Sequence, residues 1–173
     1  MKQEFQITDT WLGHELHPET PSSGVLIAER YPTWDLGEMQ ESFRRRGAEF
    51  GLEVGDFRLL SNTHAAIAAA EYARDEGGFE RFHEALFRAY FVEGRDIGDE
   101  DVIAGLATGC GLDLERMQAA LESGAYDARL AAVRREATTW QLRGVPTFII
   151  NGAHKIVGAQ PLDTFRSLLT GLA

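Results

Sequence analysis

The 173 residues suffice for one ordinary domain with a real core, and 44% hydrophobic with 25% charged residues excludes a long disordered tract or a collagen-like repeat. Seventeen basic against 27 acidic residues leave a formal charge of −10, which repels phosphate backbones, so no nucleic acid is expected as a partner. The single cysteine, Cys110, excludes an intramolecular disulfide and a thiolate zinc cluster within the chain.

The first six residues are polar and lack the apolar stretch of a signal peptide, and no window approaches roughly 18 consecutive apolar residues. No membrane partner is expected, and the chain reads as cytoplasmic. Phe5, Ile7 and Trp11 fall on one face at period 2, interrupted by Asp9, with Leu12 and Leu16 on the other, so residues 5–16 are predicted as one strand. Two prolines, a serine pair and a glycine between His17 and Gly24 then force an open loop.

Residues 25–31 read as a short helical turn ended by Pro32, and Leu36, Met39, Phe43 and Phe50 mark a helix over 35–50 that Gly51 terminates. Within it Arg44, Arg45 and Arg46 form the one concentrated positive run, read as a solvated face without a function. Asn62 or Thr63 caps an alanine-rich helix that continues to Gly77 and Gly78, and residues 79–90 form the next, with Phe82, Leu86, Phe87 and Tyr90 at three- and four-residue steps. Asp99 opens a helix through Ala107, Gly109-Cys110-Gly111 breaks it, Asp113 caps another, and residues 126–140 give one more. The pattern then switches. Val145 to Ile150 is apolar and β-branched, Asn151-Gly152 signals a hairpin, Lys155-Ile156-Val157 returns, and Pro161 opens a last helix with Phe165, Leu168, Leu169 and Leu172 as its buried stripe.

The run Gly144-Val145-Pro146-Thr147-Phe148-Ile149-Ile150-Asn151-Gly152, followed by Gly158-Ala159-Gln160-Pro161, resembles the C-terminal half of the thioredoxin fold. It looks most like the DsbA-like branch that includes FrnE-like proteins and the 2-hydroxychromene-2-carboxylate isomerases. Trp11 to Glu19 resembles that family's second core strand and its exit, and Asn62-Thr63 the start of an inserted helix. Glu84-Ala85-Leu86-Phe87-Arg88-Ala89-Tyr90-Phe91 with Gly94-Arg95-Asp96-Ile97 matches the inserted helical block. The resemblance implies an α/β, thioredoxin-like fold with a large all-helical insertion, as a single domain over 1–173. Residues 1–24 and 141–173 would be the thioredoxin core, and 25–140 the insertion and connecting helix. It also implies a cis peptide bond before Pro146, a substrate-binding loop at Val145, Pro146 and Thr147 whose backbone pairs with an extended peptide, and a peptide or protein thiol/disulfide substrate.

One part of the pattern is absent. The family begins with a strand that ends in Cys-x-x-Cys, or a serine variant in the isomerases and kappa-class glutathione transferases, at the N-terminus of a helix. That helix end lowers the thiol pKa, and the second cysteine resolves the mixed disulfide. This chain has no such strand, motif or helix, and Cys110, between two glycines at a helix junction, is read as structural. The histidines His14, His17, His64, His83 and His154 show no ligand spacing. No catalytic residue, metal or cofactor is therefore expected.

By resemblance the absent strand lies between residues 5–16 and Thr147 to Ile150. With strands about 4.8 Å apart, its loss leaves a slot of about 10 Å lined by backbone groups that cost about 1 to 3 kcal/mol each if buried unpaired. The expected resolution is a partner chain, giving a homodimer, or a longer natural chain that carries the strand; direct closure requires a movement of about 5 Å. The reading that follows is a DsbA-like (FrnE-like) thiol-disulfide oxidoreductase family member, inactive alone. Its rivals are a non-catalytic peptide-binding or dimerisation module, and a glutathione-dependent isomerase or transferase relative that needs the same absent helix.

Overall fold

The computed structural model describes residues 1–172, and the chain divides at Leu16 and Leu130. Residues 17–130 make one unit; residues 1–16 with the chain from Ala131 onward make the other.

In the first unit, β1 (Val25–Leu26) leads directly into α1 (Ile27–Arg30) and pairs antiparallel with β2 (Leu59–Leu60), Val25 opposite Leu60. The helical turn expected over 25–31 is thus shorter, because Val25 and Leu26 find a strand partner. Between the two strands lies α2 (Leu36–Ala48), whose N-terminus is capped by Asp35 accepting from the Glu38 N–H at 2.9 Å. Side chains from the helices pin the chain around β2: Gln40 Nε2 donates to the Phe57 carbonyl, and the Tyr90 hydroxyl to that of Leu59, each at 2.7 Å. These bonds satisfy carbonyls that a wider sheet would satisfy with another strand.

The alanine-rich run is α3 (His64–Asp75), followed by α4 (Phe79–Phe91), α5 (Glu100–Gly109) and α6 (Leu114–Glu122). The small side chains let helices approach closely: Ala69 and Ala73 are fully buried, and around them pack Phe82, Ile103, Ala107 and Met117. Asp99 and Asp113 cap α5 and α6 as the sequence predicts. At the rim, the Arg129 guanidinium grips Asp75 through two bonds of 2.8 and 3.0 Å, and Tyr126 points its hydroxyl at the same carboxylate.

Burial, and then the nearby Asp96 carboxylate, push the Tyr90 phenol up from 10.0 to about 12. The folded chain therefore keeps this proton where an unfolded chain loses it, so the stability it contributes is intact below pH about 10 and is lost as pH rises towards about 12. A phenolate absorbance titration is expected to retain a component near the upper value that Tyr90→Phe removes; ionisation of every tyrosine near its ordinary value would contradict this.

The second unit holds the C-terminal part of α7 (Asp127–Thr139), then β3 (Thr147–Ile150), β4 (His154–Val157) and α8 (Leu162–Thr170). β3 and β4 form an antiparallel hairpin in which Thr147 faces Val157 and Ile150 faces His154. Asn151 and Gly152 both adopt positive φ, 51° and 63°, and the Ala153 N–H closes the turn on the Ile150 carbonyl at 3.1 Å. α8 lies against the hairpin through an edge-to-face contact between Phe165 and Phe148, centroids 4.9 Å apart.

Residues 5–16, expected as a strand, are not one. Phe5 ends a turn in which the N–H groups of Glu4 and Phe5 both bond to the Met1 carbonyl, and residues 6–15 have no regular secondary structure. A strand exists only against a partner, and among the described residues β3 has one neighbour, β4. Side-chain ion pairs hold the segment instead. Glu4 chelates Arg166 at 2.8 and 2.9 Å, Asp9 pairs with Lys2, and the nearly buried Glu15 meets Arg134 at 2.5 Å.

Candidate functional site at the hairpin entrance

The segment from Gly144 to Thr147 enters β3 through a tight loop fastened at both ends. The Thr147 hydroxyl donates to the Gly144 carbonyl at 2.7 Å, and the Gly158 N–H donates to the Pro146 carbonyl at 2.7 Å. On the β4 side, Gln160 Nε2 donates to the Val157 carbonyl at 2.9 Å, which fixes the turn beyond the strand. The Val145–Pro146 peptide bond is cis.

Within this fastened loop Val145 is left open. Its side chain is 54% exposed, and among the described residues neither its N–H nor its C=O has a hydrogen-bond partner. Pro146 beside it is exposed and Thr147 is half-buried. An exposed residue with a free backbone donor and acceptor among the described residues, next to a strand with an open edge, is the arrangement an extended chain needs in order to add as a strand. The three residues expected to bind substrate are therefore contiguous and accessible, with Gly158 and Gln160 as the supports that hold them.

The remaining candidate groups lie elsewhere. Cys110 is buried in the helical core with Sγ 3.7 Å from the Arg81 carbonyl. His17 Nε2 bonds the Tyr31 hydroxyl at 2.9 Å, and its Nδ1 lies 3.4 Å from Glu19. His14 is held below its ordinary pKa, mainly by burial. Among the described residues no three His, Cys, Asp or Glu side chains converge on a metal position, and no helix is long and apolar enough to cross a membrane. Arg143, exposed two residues before Val145, escapes motif reading, since a lone arginine in a loop carries no pattern.

A profile of the DSBA-like thioredoxin domain matches residues 14–170. The chain is 31% identical over 166 residues to the uncharacterized protein YwbO of Bacillus subtilis, covering 92% of this chain and 80% of that one. It is 27% identical over 73 residues to the thiol:disulfide interchange protein DsbA of Pseudomonas aeruginosa, which is 42% of this chain and 35% of that protein. The crystal structure of probable DsbA oxidoreductase SCO1869 from Streptomyces coelicolor superposes with a TM-score of 0.82 at 26% identity, covering 90% of this chain and 71% of that one.

Proposed function

The chain belongs to the DSBA-like thioredoxin domain family, and from that premise we propose that it binds extended polypeptide at Val145, Pro146 and Thr147 without carrying out thiol-disulfide exchange by itself. The observation that carries this reading is Val145, exposed, flanked by hydrogen-bonded neighbours, and without a backbone partner among the described residues. The family resemblance supplies the ligand: a peptide or protein thiol/disulfide substrate, bound as an added strand. Within the family, Glu84 to Phe91 and Gly94 to Ile97 support membership of the FrnE-like branch. With one cysteine the chain has no redox pair, so binding and chemistry are separable in this protein.

Anisotropy of a fluorescein-labelled extended peptide tests the binding. Val145→Pro removes the open N–H and is expected to weaken the complex by about two- to twelvefold, the equivalent of the roughly 0.5 to 1.5 kcal/mol of a net hydrogen bond. Methylating alternate peptide nitrogens is expected to do the same. Binding indifferent to both changes would contradict strand addition at this loop.

A further inference from the structure

The two outer edges of the hairpin are finished differently. The bond from the Gly158 N–H to the Pro146 carbonyl lies one step beyond the facing pair Thr147 and Val157, in the same register. Facing residues of an antiparallel pair alternate between bonded and unbonded, so Phe148 and Ile150 turn their N–H and C=O groups inwards to β4. Thr147 and Ile149 turn theirs outwards on β3, as Val157 and Lys155 do on the far side of β4.

The outer edge of β4 is closed by side chains. Gln160 Nε2 donates to the Val157 carbonyl at 2.9 Å, and Lys155 puts a charge on the edge, its ammonium donating to the Trp140 carbonyl at 2.7 Å. The outer edge of β3 has neither device. Residues 147–150 carry no charge and no proline, all four are half-buried, and β3 has no neighbour but β4 among the described residues. An uncharged, β-branched edge of this kind is a template for another strand, and a hairpin alone is marginal without one.

We propose that this edge pairs with β3 of a second copy of the chain, antiparallel, across a two-fold axis at Phe148. Beyond the Val145 reading, this pairing stands on Thr147 and Ile149, and only Thr147 is common to both. A two-fold axis normal to a sheet leaves each face in place, so it must pass between a residue and its own copy. Among the residues of β3, Phe148 alone then sets Thr147 opposite Ile149 of the second copy and Ile149 opposite its Thr147. Two N–H···O bonds at each of these pairs, four in all, satisfy every outward group of both residues on both strands.

Charge favours a second copy at this edge over one elsewhere. Residues 17–130 contain 11 basic and 22 acidic residues, a net of −11, whereas the hairpin unit contains six basic and five acidic residues, a net of +1. Copies that met through their helical units would bring two strongly negative bodies together, while copies that meet at β3 join uncharged strands of nearly neutral units.

The test is size-exclusion chromatography with light scattering on the full chain, from low to hundred-micromolar concentration. The mass is expected to rise towards twice 19.2 kDa. Ile149→Pro removes an outward N–H that β4 does not use, so its circular dichroism should match the wild type. One bond is lost on each side of the axis, and the dimer dissociation constant is expected to rise by about fivefold or more. Phe148→Cys puts two cysteine Cα atoms about 4.5 Å apart across the axis, within disulfide reach, and mild oxidation is expected to link the copies. The wild type, whose one cysteine is buried, should stay unlinked. A 19.2 kDa species throughout, with peptide still bound in a manner sensitive to Val145→Pro, would overturn the dimer and leave the peptide reading standing. A dimer that a folded Ile149→Pro leaves intact, or that Phe148→Cys does not link, would place the contact elsewhere and overturn the proposal; if Ile149→Pro does not fold, the cross-link decides.

Discussion

Replacing Phe82 with alanine is expected to destabilise the helical unit by about 3 to 5 kcal/mol, a large part of the roughly 5 to 15 kcal/mol that holds a typical domain folded. Phe82 is fully buried and, with Met117, is among the largest side chains wholly enclosed in the core. The core cluster it belongs to is rich in alanine, Ala69, Ala73 and Ala107 among them, whose short side chains have no reach with which to fill a void. Phe87, on the same helix, is 51% exposed and loses far less area on truncation. Urea unfolding followed by far-ultraviolet circular dichroism should therefore move the midpoint strongly for Phe82→Ala and slightly for Phe87→Ala. Equal shifts for the two would show that the alanine-centred packing is not the core.

The second large effect is an absence of turnover. Disulfide exchange begins when a thiolate attacks one sulfur of the substrate disulfide and releases the other as a thiol, and it ends when a second protein thiol attacks the first protein sulfur in the mixed disulfide, forming a protein disulfide and releasing the remaining substrate thiol. This chain has one sulfhydryl, so the second step has no internal nucleophile. Cys110 is also shut in the core, where a disulfide cannot approach its Sγ. Insulin reduction by dithiothreitol is expected to run at the uncatalysed rate with or without the chain, and Cys110→Ser should change nothing. Acceleration well above that rate by both forms would reveal a redox site that owes nothing to Cys110 and would contradict the separation of binding from chemistry.

The helical unit was legible in the sequence because its signals are local. Asp35, Asp99 and Asp113 stand immediately before their helices, and Gly51, Gly77 and Gly111 stand after helices at positive φ. Asn151-Gly152 announced the hairpin for the same reason. The failures are the non-local ones. Residues 5–16 have a strand's alternation, yet alternation describes which way side chains point and does not supply a partner. Conversely, Leu59 and Leu60 form a strand because Val25 and Leu26 lie opposite, a pairing across more than thirty positions that no local pattern encodes.

The candidate site at Val145, Pro146 and Thr147 is a proposal that began in the sequence. Val145, Pro146 and Thr147 came from a resemblance spread over the hairpin and its flanks. What the resemblance could not supply was the hydrogen-bond accounting that leaves Val145 open while Pro146 is tied to Gly158. Nor does net charge, −10 for the whole chain, reveal that the hairpin unit carries almost none of it. That distribution depends on where the chain folds back, which brings the first 16 residues into the same unit as the last part of the chain.

The most direct measurement is an amide-resolved nuclear magnetic resonance titration of the full chain with an extended peptide. The Val145 N–H, without an acceptor among the described residues, is expected to shift downfield and gain protection from hydrogen exchange on binding, while the amides of α3 and α4 stay fixed. A Val145 amide that neither shifts nor gains protection at saturating peptide would contradict the assignment of this loop as the binding edge.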